Sequence, residues 1–207
     1  MDIIGQFMYD TQMEMEKCGV TLLLESDNTH VKLPSGLECN GYFIDHPQLI
    51  FACATKKLVD RWFPIYVHEY CHFTQWRDQI PEWTDVWVDG LYYDNFLDQW
   101  LGARQLRFAP WKIAKFIQAG ISLEADCERR VIKLIEKRNL PINKMEYAQK
   151  ANSYVHFYNY IEEYRRWYEV GKEPYNLPEV WSQFNTTVDD DFSPNPKYME
   201  IYAKHCF

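Results

Sequence analysis

The sequence predicts an α+β domain with a small sheet near its N-terminus and a mostly helical C-terminal half. Three observations predict this fold class. Short runs of strand-forming residues cluster between residues 20 and 54, separated by Asn, Asp, Pro and Gly. Beyond them, apolar residues recur at helical spacing over long segments. The chain has 207 residues, of which 47% are hydrophobic and 17% aromatic, so it can bury one substantial core.

The N-terminal part predicts one helix and three strands. Apolar residues at helical spacing over residues 2–17 predict a helix that Gly19 ends. Strand-forming residues then occupy segments 20–24, 41–44 and 49–54, with the sequences VTLLL, GYFI and LIFACA. These segments predict a small mixed or antiparallel sheet.

Three longer helices are predicted after the sheet. The first covers residues 59–76 and is rich in aromatic residues. The second covers residues 111–137, and Gly120 is a point at which it can break. The third covers residues 143–170, where a capping-box pattern marks the start and the glycine at 171 marks the end.

Two segments lack a long periodic pattern. Residues 77–110 hold many Trp, Tyr and Phe among Pro, Gly and Asp, which predicts an irregular, partly helical insertion. Residues 171–207 contain four prolines and predict an extended tail that ends in a short helix. We therefore expect a single domain over residues 1–170, followed by this tail. Because aromatic residues are common in interfaces, the insertion and the tail are candidate contacts for a protein assembly partner. The insertion can instead restrict a cleft, or its aromatic residues can simply enlarge the core.

Charge and composition exclude several partner classes. The formal net charge is -8 and the basic residues are scattered, so no stripe is predicted that neutralises nucleic-acid phosphates. The start, MDIIGQFMYD, does not resemble a secretion signal, and no apolar run is long enough to span a membrane. Six widely spaced cysteines are typical of reduced thiols. The sequence predicts a cytoplasmic protein with neither nucleic acid nor membrane as a partner.

The segment VHEYCHFTQW, residues 67–76, carries the clearest chemistry. On a helix, His68 and His72 lie on one face, and Glu69 lies beside them. In this HExxH pattern the imidazoles hold zinc, and the glutamate takes a proton from the attacking water. The alternative is that both histidines are core residues on a buried helix. That interpretation must also explain the glutamate on the same apolar helix, because burial of an unpaired carboxylate costs free energy. We expect a zinc site with Glu69 as general base.

The helix predicted over residues 111–137 offers candidates for a third zinc ligand. Glu124 lies on its apolar stripe and Glu128 lies beside that stripe, so either carboxylate can reach a buried ion. The nearby Cys127, like Cys71 in the motif, is interpreted as a small buried packing residue. Both carboxylates therefore remain candidates.

Asp78 is a third candidate ligand, because some zinc sites take a ligand six residues after the second histidine, beyond a glycine-mediated turn. Here Gln75 replaces that glycine. The helix is therefore expected to continue and to carry Asp78 away from the ion.

The HEYCH motif followed by a helix with Glu124-x-x-x-Glu128 resembles the gluzincin metallopeptidases, especially their compact members, over about residues 41–137. The resemblance implies a zincin-like fold, a zinc cofactor and hydrolysis of a peptide or protein substrate. It implies Glu124 as the third zinc ligand and Glu128 as the acceptor that orients His68. It also implies that segment 49–54 offers its edge to an extended peptide. The separation between the HEYCH motif and Glu124 is longer than is usual in that family.

A hydrolase of this class needs a hydrogen-bond donor for the oxyanion. The helix predicted over residues 143–170 offers Tyr154 and Tyr158 on its inward face, whereas His156 points roughly away. Core packing is the alternative role for each ring. Tyr154 and Tyr158 are the catalytic candidates besides Glu69.

Two functions of different classes stay open. The first is an active zinc metallopeptidase. The second is a non-catalytic structural or assembly protein that keeps a zincin fold and its metal. A resemblance to metallopeptidase-like proteins encoded by bacteriophages, which no separate motif carries, implies a virion-associated protein for the second function.

Overall fold

The computed structural model describes residues 2–33, 36, 38–46, 48–88, 90–103, 105, 107–169 and 171–207. As predicted, the fold is α+β, with a small sheet and a mostly helical C-terminal half. Contacts divide the chain into two compact units. The first contains Met1–Ile80 and Arg130–Ile142, and the second contains Pro81–Arg129 and Asn143–Phe207. The prediction of one domain over residues 1–170 stays a prediction.

The first unit begins with helix α1 (Ile3–Lys17). Asp2 caps it, because its carboxylate accepts a hydrogen bond from the Gly5 amide at 2.7 Å. The chain leaves the helix through Gly19, whose φ of +77° favours glycine. The predicted helix and its glycine stop are both confirmed.

The strands of the first unit form two sheets. In chain order the strands are β1 (Thr21–Glu25), β2 (Val31–Lys32), β3 (Glu38–Cys39), β4 (Gly41–Ile44) and β5 (Ile50–Ala54). Strand β5 lies between β1, to which it is parallel, and β4, to which it is antiparallel, while β2 pairs with β3. The small mixed sheet is confirmed. The expected edge role of segment 49–54 is wrong, because β5 is hydrogen-bonded on both sides and β4 is an edge strand instead.

Helix α2 (Val59–Asp78) packs on β4 and β5. Phe63, Tyr66 and Phe73 are fully buried on it, and the Tyr66 ring lies 4.9 Å from the ring of Phe51 in β5. The helix ends at Gln79, which has a left-handed backbone. Its course past Gln75 to Asp78 confirms that the helix continues beyond the motif.

The second unit contains the aromatic insertion. Its regular elements are α3 (Pro81–Thr84), β6 (Trp87–Val88), β7 (Leu91–Tyr92) and α4 (Tyr93–Gly102). Helix α5 (Pro110–Arg138) follows and runs unbroken through Gly120. A Cβ at Gly120 would lie 2.7 Å from the Tyr158 ring, so this glycine permits close packing. The C-terminal end of α5 belongs to the first unit.

The helix predicted over residues 143–170 is wrong in its extent. It consists of α6 (Lys144–Val155) and α7 (Phe157–Tyr164). The predicted cap is present, because the Asn143 side chain accepts from the Glu146 amide at 3.3 Å. The helix ends early because Arg165 adopts a left-handed backbone and its guanidinium binds two carbonyl groups in and just after α4.

The C-terminal segment packs against the helices of the second unit. It contains a 3-10 helix (Pro174–Asn176), α8 (Pro178–Trp181) and α9 (Pro196–His205). The buried Tyr202 hydroxyl donates to the Ser153 carbonyl of α6 at 2.8 Å. No helix among the described residues is long and apolar enough to cross a membrane. All six cysteines are free thiols.

Candidate metal centre

The two motif histidines converge on one face of helix α2. The Nε2 atoms of His68 and His72 lie 3.1 Å apart, and the two rings stand almost perpendicular at 86°. His72 is nearly buried, while His68 is more exposed. The spacing of four residues therefore brings two imidazole nitrogens together, as the motif predicts.

Gln75 forms a hydrogen bond with the other ring nitrogen of His72, Nδ1. Its Oε1 lies 2.7 Å from His72 Nδ1, and its side chain is completely buried. Because a carbonyl oxygen only accepts, Nδ1 carries the proton and Nε2 presents its lone pair. Sequence reasoning missed this role and treated Gln75 only as the absence of a glycine. Its position, one helical turn after His72 on an apolar helix, was the available signal.

Cys127 of helix α5 completes a set of three metal-ligating side chains. Ligand atoms of His68, His72 and Cys127 all lie within 4.8 Å of one another. In the part of the chain that the structure describes, this is the only such group of three or more His, Cys, Asp or Glu residues. The group can bind a metal ion. Cys127 is fully buried, as a packing residue would be, but the packing interpretation alone missed its proximity to the histidines.

An ion-pair network ties the C-terminal part of α5 to α2. Arg130, one turn after Cys127, donates to the Thr74 hydroxyl at 3.2 Å and to the Asp78 carboxylate at 3.1 Å. Burial alone would raise the pKa of Asp78, but hydrogen bonds from Arg77 and Arg130 outweigh it and lower that pKa. Asp78 is thus an ion-pair partner and is not part of the three-residue group.

The two carboxylates expected from α5 are buried but do not belong to that group. Glu124 and Glu128 are 5% and 4% exposed. The Tyr147 hydroxyl of α6 donates to Glu128 at 2.5 Å. The assignments of Glu124 as a zinc ligand and of Glu128 as the partner of His68 stay predictions.

Glu69, the expected general base, lies against strand β4. A Cβ placed on Gly41 would come within 3.1 Å of the Glu69 Cγ, so the β4 backbone passes directly over this side chain. Two thiols share its surroundings. Burial, and then the charge of Glu69, raise the pKa values of Cys39 and Cys53 to about 12. Both thiols are therefore neutral and unreactive beside the carboxylate.

The two candidate oxyanion donors belong to a tyrosine cluster in the second unit. The hydroxyls of Tyr154 and Tyr158 lie 3.4 Å apart. Burial raises the pKa of Tyr154 well above its usual value, and the neighbouring Tyr158 and Glu124 raise it further. Tyr154 is therefore protonated and can donate a hydrogen bond, although its catalytic role stays a prediction.

Comparison of the chain with protein-family models, with curated proteins and with solved structures finds no match. The resemblance to the gluzincins stays a prediction that rests on the two helical motifs.

Proposed function

We propose that this protein is a zinc-dependent peptidase that holds the ion through His68, His72 and a side chain of α5, with Glu69 as general base. One observation carries the proposal. A helix that supplies two converging imidazoles, with one ring oriented by a buried acceptor, also carries a carboxylate at the residue directly after the first of them.

The donor set fits zinc. Two imidazole nitrogens bound at 2.0–2.1 Å to a tetrahedral ion would lie about 3.3 Å apart, and the observed separation is 3.1 Å. A thiolate with two imidazoles suits zinc better than magnesium or calcium, which prefer oxygen ligands. We propose Cys127 as the third ligand. Glu124, one helical turn earlier on α5, is the alternative that the family resemblance implies.

The chemistry divides between the ion and the chain. A zinc ion at this position would act as a Lewis acid toward the scissile carbonyl and lower the pKa of water. Glu69 would take the proton of the attacking water and deliver it to the leaving amine. Its confinement beneath Gly41 of β4 restricts the positions that the carboxylate can adopt.

The edge strand supports a peptide as substrate. No described strand pairs with the second edge of β4, so its backbone can hydrogen-bond an extended chain. Because Gly41 begins β4 and also contacts Glu69, a chain added to this edge would run past the general base. The same edge has no evident use in a purely structural metal site.

A cobalt substitution experiment tests the ligand set. Cobalt bound to a thiolate gives a strong near-ultraviolet charge-transfer band that carboxylate ligands do not give. We expect this band in the wild type and in Glu124→Gln, and its loss in Cys127→Ser. A protein that binds one cobalt ion without the band, and loses the ion in Glu124→Gln, would instead establish Glu124 as the ligand.

Glu69→Gln tests turnover. The substitution keeps the size of the side chain, so metal content should be unchanged while hydrolysis of an unfolded protein falls by about 10²–10⁴-fold. Glu16→Gln, an exposed change on α1, is the matched control and should be fully active. Equal rates for the wild type and Glu69→Gln would remove Glu69 as the base.

The second candidate is a non-catalytic metal site in an assembly protein. The observation that favours it is burial, because His72 is 9% exposed and Cys127 is completely buried, as ligands of closed structural sites often are. This candidate predicts bound metal, no hydrolysis by any variant, and a large loss of folding stability when a chelator removes the ion.

A further inference from the structure

We infer that Gln75 is a positioning residue that fixes His72 as a metal ligand before any ion arrives. The inference rests on the proposed metal site. It adds a residue that neither the HExxH motif nor the ligand set contains.

The hydrogen-bond pattern carries the inference. Gln75 Oε1 can only accept, so the 2.7 Å contact places a proton on His72 Nδ1. A neutral imidazole holds one proton, and His72 Nε2 is therefore a bare acceptor. That nitrogen lies 3.1 Å from His68 Nε2, the second imidazole of the proposed site. An incoming ion then meets His72 with its ligating nitrogen already free of a proton.

The burial of Gln75 favours its hydrogen bond with His72. Its side chain is fully buried on α2, about one turn beyond His72. An amide in such surroundings costs free energy unless it makes hydrogen bonds. The contact with His72 thus stabilises the amide and also limits rotation of the imidazole about its χ2 bond.

A neutral acceptor also differs from the carboxylate that often supports a ligating histidine. A carboxylate makes the imidazole more basic and adds a negative charge near the ion. Gln75 orients the ring without either effect. Beside a bound ion, Gln75 would therefore leave the net positive charge of the centre higher than a carboxylate would, which would favour polarisation of a substrate carbonyl.

Two variants of the full-length protein separate orientation from packing. Gln75→Met has a similar length but no acceptor, and Gln75→Glu restores an acceptor. We expect zinc affinity, measured by competition with a chromogenic chelator, to fall about 10–100-fold in Gln75→Met and to recover most of that loss in Gln75→Glu. Gln118→Met, at an exposed glutamine of α5, is the matched control and should bind zinc like the wild type.

A second measurement needs no metal. Nitrogen-15 NMR of the histidine rings reports which nitrogen carries the proton. In the metal-free wild type we expect His72 to be protonated at Nδ1, and in Gln75→Met we expect loss of that single tautomer. A role in packing alone would lower the melting temperature and leave the tautomer and the zinc affinity as they are.

The outcomes distinguish this inference from the proposed function. Wild-type zinc affinity and an unchanged His72 tautomer in Gln75→Met would overturn the inference, while loss of binding in His72→Ala would leave the metal site standing. If His72→Ala also binds zinc with wild-type affinity, the metal site itself is wrong. The NMR result then still decides whether Gln75 sets the tautomer.

Discussion

Two histidines of this protein are almost equally buried and are held in opposite ways. His72 of α2 donates from Nδ1 to a neutral amide oxygen and turns Nε2 toward a second histidine. His156, between α6 and α7, has its Nε2 2.9 Å from the Asp189 carboxylate, while its Nδ1 is buried without a hydrogen-bond partner. Aromatic rings surround it, with Phe192 and Tyr198 centred 4.8 and 4.7 Å away.

The difference shows that burial alone does not identify a ligand. At His72, Nε2 lies 3.1 Å from His68 Nε2, and both rings belong to the group that can bind a metal ion. At His156 the lone pair faces an apolar shell, and the hydrogen bond joins the helix to the segment that follows α8. We refer to His156, Asn152, Asp189, Phe192 and Tyr198 as the His156 cluster. The first histidine belongs to a group that can bind a metal ion, and the second holds two parts of the chain together.

The largest expected effect is on metal binding. His72→Ala should lower zinc affinity about a thousandfold, because a site worth on the order of 10 kcal/mol loses one of three donors. His156→Ala should bind zinc as tightly as the wild type. Equilibrium competition with a chelator measures both values. If the two alanine variants lose zinc affinity to the same degree, the proposed difference between His72 and His156 is wrong.

The α2 residues of the candidate metal site could be predicted from the sequence because they lie close together along the chain. A four-residue spacing on one helix is enough to bring His68 and His72 together, and Glu69 follows from the same motif. Cys127 could not be recognised in this way. It is one residue of an apolar stripe 55 positions after His72, and the sequence does not report that its ligand atom lies within 4.8 Å of those of the histidines. Glu124 shares that stripe, so periodicity could not choose between them.

The His156 cluster escaped prediction for a related reason. The periodic pattern over residues 143–170 contains nothing that reports a turn at His156 or an end at Tyr164. Both depend on distant partners, such as the carbonyls that bind the Arg165 guanidinium. The sheet shows the same limit. The strands were found from composition, but the pairing order that makes β4 an edge is non-local.

The second largest expected effect is the loss of folding stability in Asn152→Ala, which tests the His156 cluster. Its completely buried amide donates to the carbonyls of Asn185 and Thr187 and accepts from the Asp189 amide. Asn152→Ala leaves these backbone groups unsatisfied and should lower the free energy of unfolding by about 2–4 kcal/mol. Asn176→Ala, at an exposed asparagine, should cost little. Urea titration measures both, and zinc affinity should be unchanged in either variant.

Gly41→Ala, a substitution next to the proposed metal site, should have a smaller effect on stability than Asn152→Ala. The new methyl would lie 2.9 Å from Ile65 Cγ2, 3.1 Å from the Ala52 carbonyl and 3.1 Å from Glu69 Cγ, so neighbouring atoms must move. We expect a loss of about 1–3 kcal/mol in stability. Hydrolysis should fall more than zinc affinity, because the displaced group is the proposed base. A variant that loses zinc but keeps its turnover per bound ion would contradict this assignment.

The smallest expected effect is the pH dependence that His156 confers. Burial lowers the pKa of His156 from its ordinary value of 6.5, and the carboxylates of Asp189 and Asp191 only partly offset this. The Arg129 guanidinium also approaches, donating to the Asp189 carbonyl at 2.9 Å, and the Tyr198 hydroxyl stays protonated because burial raises its pKa.

Below about pH 6.5 the unfolded chain therefore holds a proton on His156 that the folded protein resists. The stability that neutral His156 provides is complete above that pH and is lost as the pH falls through the lower pKa of the folded state. For one proton the slope cannot exceed about 1.4 kcal/mol per pH unit. His156→Phe removes the group and keeps an aromatic ring, so unfolding free energies measured between about pH 7.5 and pH 5 should fall less steeply than in the wild type. His30→Phe, at an exposed histidine, should leave the wild-type slope nearly intact. Identical slopes for the wild type and His156→Phe would mean that the Asp189 hydrogen bond compensates burial fully, and the contrast between the two histidines would then be one of geometry alone.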